Sequence, residues 1–83
     1  MAVSAQPLPD DELAALRRSL GSKVQQLRKE RQVNQDDFAD QAGLSRAYIG
    51  RLENGRVDPH LSTLYKIAKA LGTSVDELLR RTA

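Results

Sequence analysis

Asn34-Gln35-Asp36-Asp37-Phe38-Ala39-Asp40-Gln41-Ala42-Gly43-Leu44-Ser45-Arg46-Ala47-Tyr48-Ile49-Gly50-Arg51-Leu52-Glu53-Asn54-Gly55 is the stretch from which the rest of the chain is read. It encodes two short helices joined by a turn at Gly43. Asn34 can cap the first helix, and Gly43 supplies the positive-φ residue that ends it. Ser45 can cap the second, and Gly55 stops it. Helix, tight glycine turn, helix is the layout that sets a second helix in the DNA major groove. Many helical hairpins share that layout, so it does not decide function alone.

The second helix carries two faces of different chemistry. At about 100° per residue, Tyr48, Ile49 and Leu52 point one way and form a core side. Arg46, Ala47, Gly50, Arg51 and Asn54 point the other way. Small residues let a backbone approach a surface closely, and arginines at the edges can then reach guanine O6 and N7. By spacing alone, the same face reads equally well as an ordinary solvated surface.

The stretch resembles the Cro/repressor-type (XRE) helix-turn-helix family. Gln35 with Ala39, Gly43-Leu44-Ser45, Ile49, Leu52-Glu53-Asn54-Gly55 and Pro59 follow its pattern. Thr63-Leu64, Ile67-Ala68, Ala70-Leu71-Gly72 and Ser74-Val75-Asp76-Glu77-Leu78-Leu79 continue it, and residues 21–31 resemble its first helix. The resemblance implies an all-α, five-helix lambda-repressor-like domain that binds double-stranded DNA at inverted repeats as a homodimer and regulates transcription. It places Ser45, Arg46, Ala47 and Arg51 at base-facing positions. Gln35, Tyr48, Asn54 and Arg56 fall at phosphate contacts, Gln35 helped by a helix N-terminus. Gly50 replaces a side chain often used for reading, which shifts weight toward shape readout. The family's cross-helix ion pair maps to Arg28 and Glu53. The short length and Arg46-Ala47-Tyr48-Ile49 look like controller proteins of restriction–modification systems. An antitoxin, or an interaction module that has lost DNA binding, are the alternatives.

The 83 residues make one domain, and a chain this short buries only about 60–65% of its unfolded surface. There is no cysteine, so no disulfide, and a reducing compartment is natural. A lone histidine without thiols offers no zinc site. No apolar run approaches the length of a membrane span, and residues 1–9 lack the pattern of a secretory signal, so a cytoplasmic protein is expected. Net charge is only +2, but its distribution is uneven. Arg17, Arg18, Lys23, Arg28, Lys29 and Arg31 stand against Glu30, and Arg46, Arg51 and Arg56 follow, with Asp36, Asp37 and Asp40 between. Such runs are usually solvated helix faces; beside this motif, phosphate contact is the better reading for some of them.

Outside the motif, residues 1–9 predict a disordered tail and residues 10–83 the domain. Asp10 or Asp11 can cap a long first helix over 11–31, with Leu13, Leu16, Leu20, Val24 and Leu27 as an apolar stripe. Gly21 and Ser22 weaken its middle by roughly 1 kcal/mol. Its first two turns extend beyond the family core. Helices follow at 35–42, 46–54 and 61–71, the last burying Leu61, Leu64, Ile67, Ala68 and Leu71. With His60 in place of a small polar residue, Asp58 can cap that helix, with Pro59 at its first position. The fifth helix opens with the capping box Ser74-Val75-Asp76-Glu77. Val75, Leu78 and Leu79, joined by Leu61 or Tyr65, are expected to contribute a two-fold interface; the alternative is that all three complete the core of one copy. No serine, histidine or carboxylate arrangement supports catalysis, and no cofactor or small-molecule site is evident.

Overall fold

The computed structural model describes residues 10–81. The proposed tail, residues 1–9, lies outside them, as do residues 82–83. Five helices follow in order: α1 Asp10–Glu30, α2 Gln35–Ala42, α3 Arg46–Glu53, α4 Leu61–Leu71 and α5 Val75–Leu79. Their starts are written locally. Asn34, Ser45 and Ser74 are extended residues whose side-chain oxygens accept from the N–H of Asp37 (2.8 Å), Tyr48 (3.0 Å) and Glu77 (3.1 Å). Because α1 starts at Asp10, Asp11 lies within its first turn and does not cap it.

The start of α4 differs from expectation. His60 is its N-cap and makes no side-chain cap bond. Asp58 is instead turned toward α1, where Arg17 Nη2 donates to its carboxylate at 2.7 Å. That bond holds the Asp58 carboxyl below its ordinary value of 3.8.

Helix ends use one device. Gln32, Gly43, Gly55 and Gly72 all adopt the left-handed conformation after a helix. At Gly43, the N–H of Leu44 reaches back to the Ala39 carbonyl at 2.9 Å, closing the turn between α2 and α3. Gln32 does the same job without glycine's freedom, at φ 57°.

The core is Leu20 and Val24 of α1, Phe38 and Ala39 of α2, Ile49 and Leu52 of α3, Leu64, Ile67, Ala68 and Leu71 of α4, and Leu78 of α5. The apolar stripe of α1 is graded: Leu20 and Val24 are buried, whereas Leu13 and Leu16 are half-buried along a groove completed by Pro59, Leu64 and Leu79. Leu61 departs from its expected place. It is the first residue of α4, off the face of Leu64, Ile67 and Leu71, and is 73% exposed.

Gly21 is where α1 crosses the end of α3. A Cβ there would collide with the Leu52 carbonyl oxygen and lie 2.7 Å from that of Glu53. The residue that weakens α1 by propensity is thus what lets the two backbones meet. On either side of this crossing, Arg17 holds Asp58, and Arg31 Nη1 donates to the Leu71 carbonyl at the end of α4 (2.7 Å). α1 is a strut bound to α3, α4 and the loop between them.

Candidate nucleic-acid interface

Beneath the exposed face of α3 lies a buried polar network. Arg28 donates to Glu53 through Nε (2.6 Å) and Nη2 (3.0 Å), a two-pronged pair, and through Nη1 to the Val33 carbonyl (2.8 Å). Both side chains are almost fully buried. The hydrogen bond to Glu53 raises the Arg28 pKa above its ordinary value, against desolvation, which would lower it. Gln35 adds a third donor to Glu53, at 3.0 Å. Among the described residues no buried side-chain nitrogen or oxygen lacks a partner. The network thus ties α1, the α1–α2 turn, the start of α2 and the end of α3 together, fixing the pose in which α3 is presented.

It also changes the reading of Gln35. One of its two amide N–H groups is turned inward onto Glu53, leaving a single side-chain N–H for any other partner. What the start of α2 offers an anion is chiefly backbone: the first-turn N–H groups that the Asn34 cap leaves over.

The expected base-facing residues Ser45, Arg46, Ala47 and Arg51 all lie exposed on α3 or its cap. The Ser45 oxygen accepts from Tyr48 N–H, so its hydroxyl can still donate. Arg51 lies over the Tyr48 ring, 6.0 Å from its centroid. Tyr48 is half-buried, one side against the core, and burial raises its hydroxyl pKa above 10.0 while Arg51 opposes the rise. It therefore remains a neutral donor at pH 7. Asn54 is exposed, but its amide nitrogen folds back to the Gly50 carbonyl at 2.9 Å, leaving its oxygen outward. Arg56 is exposed on the loop after α3. A Cβ at Gly50 would meet nothing within 4 Å. The resulting surface is a strip of small residues, Ala47 and Gly50, between two guanidinium groups.

One contact escaped the sequence reading. Arg46 Nε lies 3.2 Å from Asp36 Oδ1, an exposed pair joining the first turns of α3 and α2. No helical spacing rule links two residues on different helices, so only the folded turn could reveal it.

On the far side, the expected interface residues separate. Leu78 is 1% exposed and belongs to the core of the single chain, so it is withdrawn from any contact with a second copy. Val75 is half-buried and packs against that core. Leu79 keeps 38% of its surface, and Leu61 and Tyr65, one turn apart on α4, keep 73% and 58%. Among the described residues no cluster of histidine and carboxylate groups can hold a metal ion, and no helix is long and apolar enough to cross a membrane.

An all-helical bundle with a capped helix, a left-handed glycine turn and a second capped helix presenting arginines defines a helix-turn-helix protein. The chain belongs to the helix-turn-helix family (HTH_3), which matches residues 24–78. It is similar to the HTH-type transcriptional regulator y4dJ of Sinorhizobium fredii, 39% identical over 67 residues, covering 81% of this chain and 87% of that protein. It is also similar to the control protein C.SmaI of Serratia marcescens, 37% identical over 76 residues, covering 89% and 90%. Among solved structures, the restriction–modification controller protein C.AhdI of Aeromonas hydrophila superposes with a TM-score of 0.73 at 29% identity, over 82% of this chain and 97% of that one.

Proposed function

We propose that this protein is a cytoplasmic, sequence-specific double-stranded DNA-binding regulator of transcription that acts as a homodimer on inverted half-sites. The observation that carries the reading is the exposed face of α3. Arg46 and Arg51 flank Ala47 and Gly50, and none of the four residues belongs to the buried core. A guanidinium there can pair with guanine through two N–H groups, while the small residues let the helix sit deep in a groove. Ser45 and Ala47 complete the base-facing set. Phosphate falls to Arg56, the second amide N–H of Asn54, the Tyr48 hydroxyl and, at the start of α2, backbone N–H groups beside Gln35. The dimer is supported by the exposed Leu61 and Tyr65 on one side of α4, with Leu79 nearby in sequence order on α5. Similarity to C.SmaI and C.AhdI over nine-tenths or more of their lengths favours a restriction–modification controller role.

The test separates reading from gripping. A preferred duplex is selected from a random pool, and binding is followed by fluorescence anisotropy at several salt concentrations. Arg46→Ala should weaken the selected duplex far more than a scrambled one, flattening preference at one or two base pairs per half-site, a loss of about 1–3 kcal/mol in discrimination. Arg56→Ala should weaken both duplexes together and lower the salt slope by about 0.9. Equal loss on both duplexes for Arg46→Ala would sink its base-reading role.

A further inference from the structure

We infer that Asp36 is a positioning residue for Arg46 and thereby sets how strongly this surface discriminates one DNA sequence from another; the inference rests on the DNA-binding reading above. The Asp36 carboxylate approaches the guanidinium at its Nε edge, 3.2 Å away, and both side chains are two-thirds exposed. An arginine reads guanine with a pair of N–H groups. The carboxylate lies on the Nε side of the guanidinium as an ion contact rather than a hydrogen bond, and the two terminal nitrogens form the other edge of the fork. Asp36 thus favours presentation of that edge over the many other rotamers of a long, exposed side chain.

Charge acts in the same direction. Asp36 and Asp37 occupy the first turn of α2 and set negative charge beside its backbone N–H groups. A phosphate approaching Arg46 from that side meets a carboxylate beside the cation. The pair carries no net charge, so it releases few counterions, and counterion release is what drives binding to DNA of any sequence. Hydrogen bonding to a guanine edge depends on direction and survives this neutralisation. Asp36 lowers the grip on random DNA while leaving the reading contact in place.

The test uses the full chain and the duplex selected from a random pool, with a scrambled duplex for comparison. Asp36→Asn keeps the side-chain shape and removes the charge. It should tighten binding to the scrambled duplex, steepen the salt slope by about 0.9, and lower the selected-to-scrambled ratio. An exposed ion pair is weak, so the ratio should fall by about two- to five-fold. The lost preference should lie at the same base pair that Arg46→Ala affects. In an Arg46→Ala background, Asp36→Asn should leave the ratio unchanged, because there is then no guanidinium to position. Asp36→Glu should restore part of the ratio. If Asp36→Asn leaves the ratio intact in the wild-type background, or lowers it equally without Arg46, the inference is overturned. If the wild-type chain selects no sequence at all, the DNA-binding reading falls with it. Selection by the wild type with an unmoved Asp36→Asn ratio sinks only the role of Asp36.

Discussion

Gly50 sits in the middle of α3, where glycine costs about 0.5–1 kcal/mol relative to alanine. The fold does not ask for it. Its φ is not positive, and a side chain there would enter open space. Nothing inside the protomer requires glycine here, which fits the proposal that DNA approaches this face of the helix closely. Gly50→Ala should raise the melting temperature, equivalent to roughly 0.5–1 kcal/mol, and at the same time weaken binding to the selected duplex. Thermal unfolding by circular dichroism and anisotropy on the same sample check both halves. An alanine variant that binds as tightly as the wild type would remove the argument for close approach. Gly21 has the opposite logic. It is buried, and its hydrogen atom is the only substituent that fits. The two glycines look alike in the sequence, each a weak point in a helix, because propensity is local and the difference between them is not.

α1 and α3 are held together by that backbone crossing and by the Arg28–Glu53 pair. Gly21→Ala gains helix propensity but drives a Cβ into the carbonyls of Leu52 and Glu53, which as backbone cannot yield cheaply. The net effect should be destabilising by about 1–3 kcal/mol. The neighbouring Ser22→Ala, on the exposed side, should be neutral or slightly stabilising. Urea unfolding of the pair gives opposite signs if the crossing is as described; two stabilised variants would contradict it. Glu53→Ala strands the buried Arg28 guanidinium and should cost about 3–5 kcal/mol. Replacing both partners by apolar residues, as in Arg28→Met with Glu53→Leu, should cost less than the two single changes added together. It will not be free, since the Val33 carbonyl and the Gln35 amide lose their partners too. Strictly additive costs would show that the pair is not coupled. The caps of α2, α3 and α5 were legible because Asn34, Ser45, Ser74 and Gly43 act on groups within a few residues of themselves, whereas the start of α4 was not. The inward turn of Gln35, the engagement of Asp58 with Arg17 and the Asp36–Arg46 contact all cross between elements, and no periodicity encodes them.

For the molecule as a whole, the apolar residues split into those that close one chain and those left over. Leu78 completes the core, although at the level of sequence it shared its helix with residues expected at an interface. Leu61 reverses the pattern, expected inside and found outside. Amphipathic periodicity identifies an apolar face but not what covers it, which is why a buried core and a subunit contact read alike. If Leu61 and Tyr65 meet a second copy, Leu61→Lys and Tyr65→Lys should leave protomer stability within about 0.5 kcal/mol. Both should shift the protein from dimer to monomer in sedimentation equilibrium. The weakened dimer should also lose affinity for two half-sites spaced about 34 Å apart more than for one. A wild-type monomer at tens of micromolar, with and without DNA, would rule the dimer out.

The division of labour within α3 bears on how such a protein can change over evolutionary time. Ile49, Leu52 and Glu53 anchor the helix in the core, while Arg46, Ala47, Gly50 and Arg51 lie outside it, Arg46 beside Asp36 and Arg51 over the Tyr48 ring. A lineage can therefore rewrite the outward residues without passing through misfolded intermediates. A Cβ at Gly50 meets nothing within 4 Å, so a side chain can be added there without a clash inside the protomer, and a gene duplicate can drift toward a new operator while its ancestor keeps the old one.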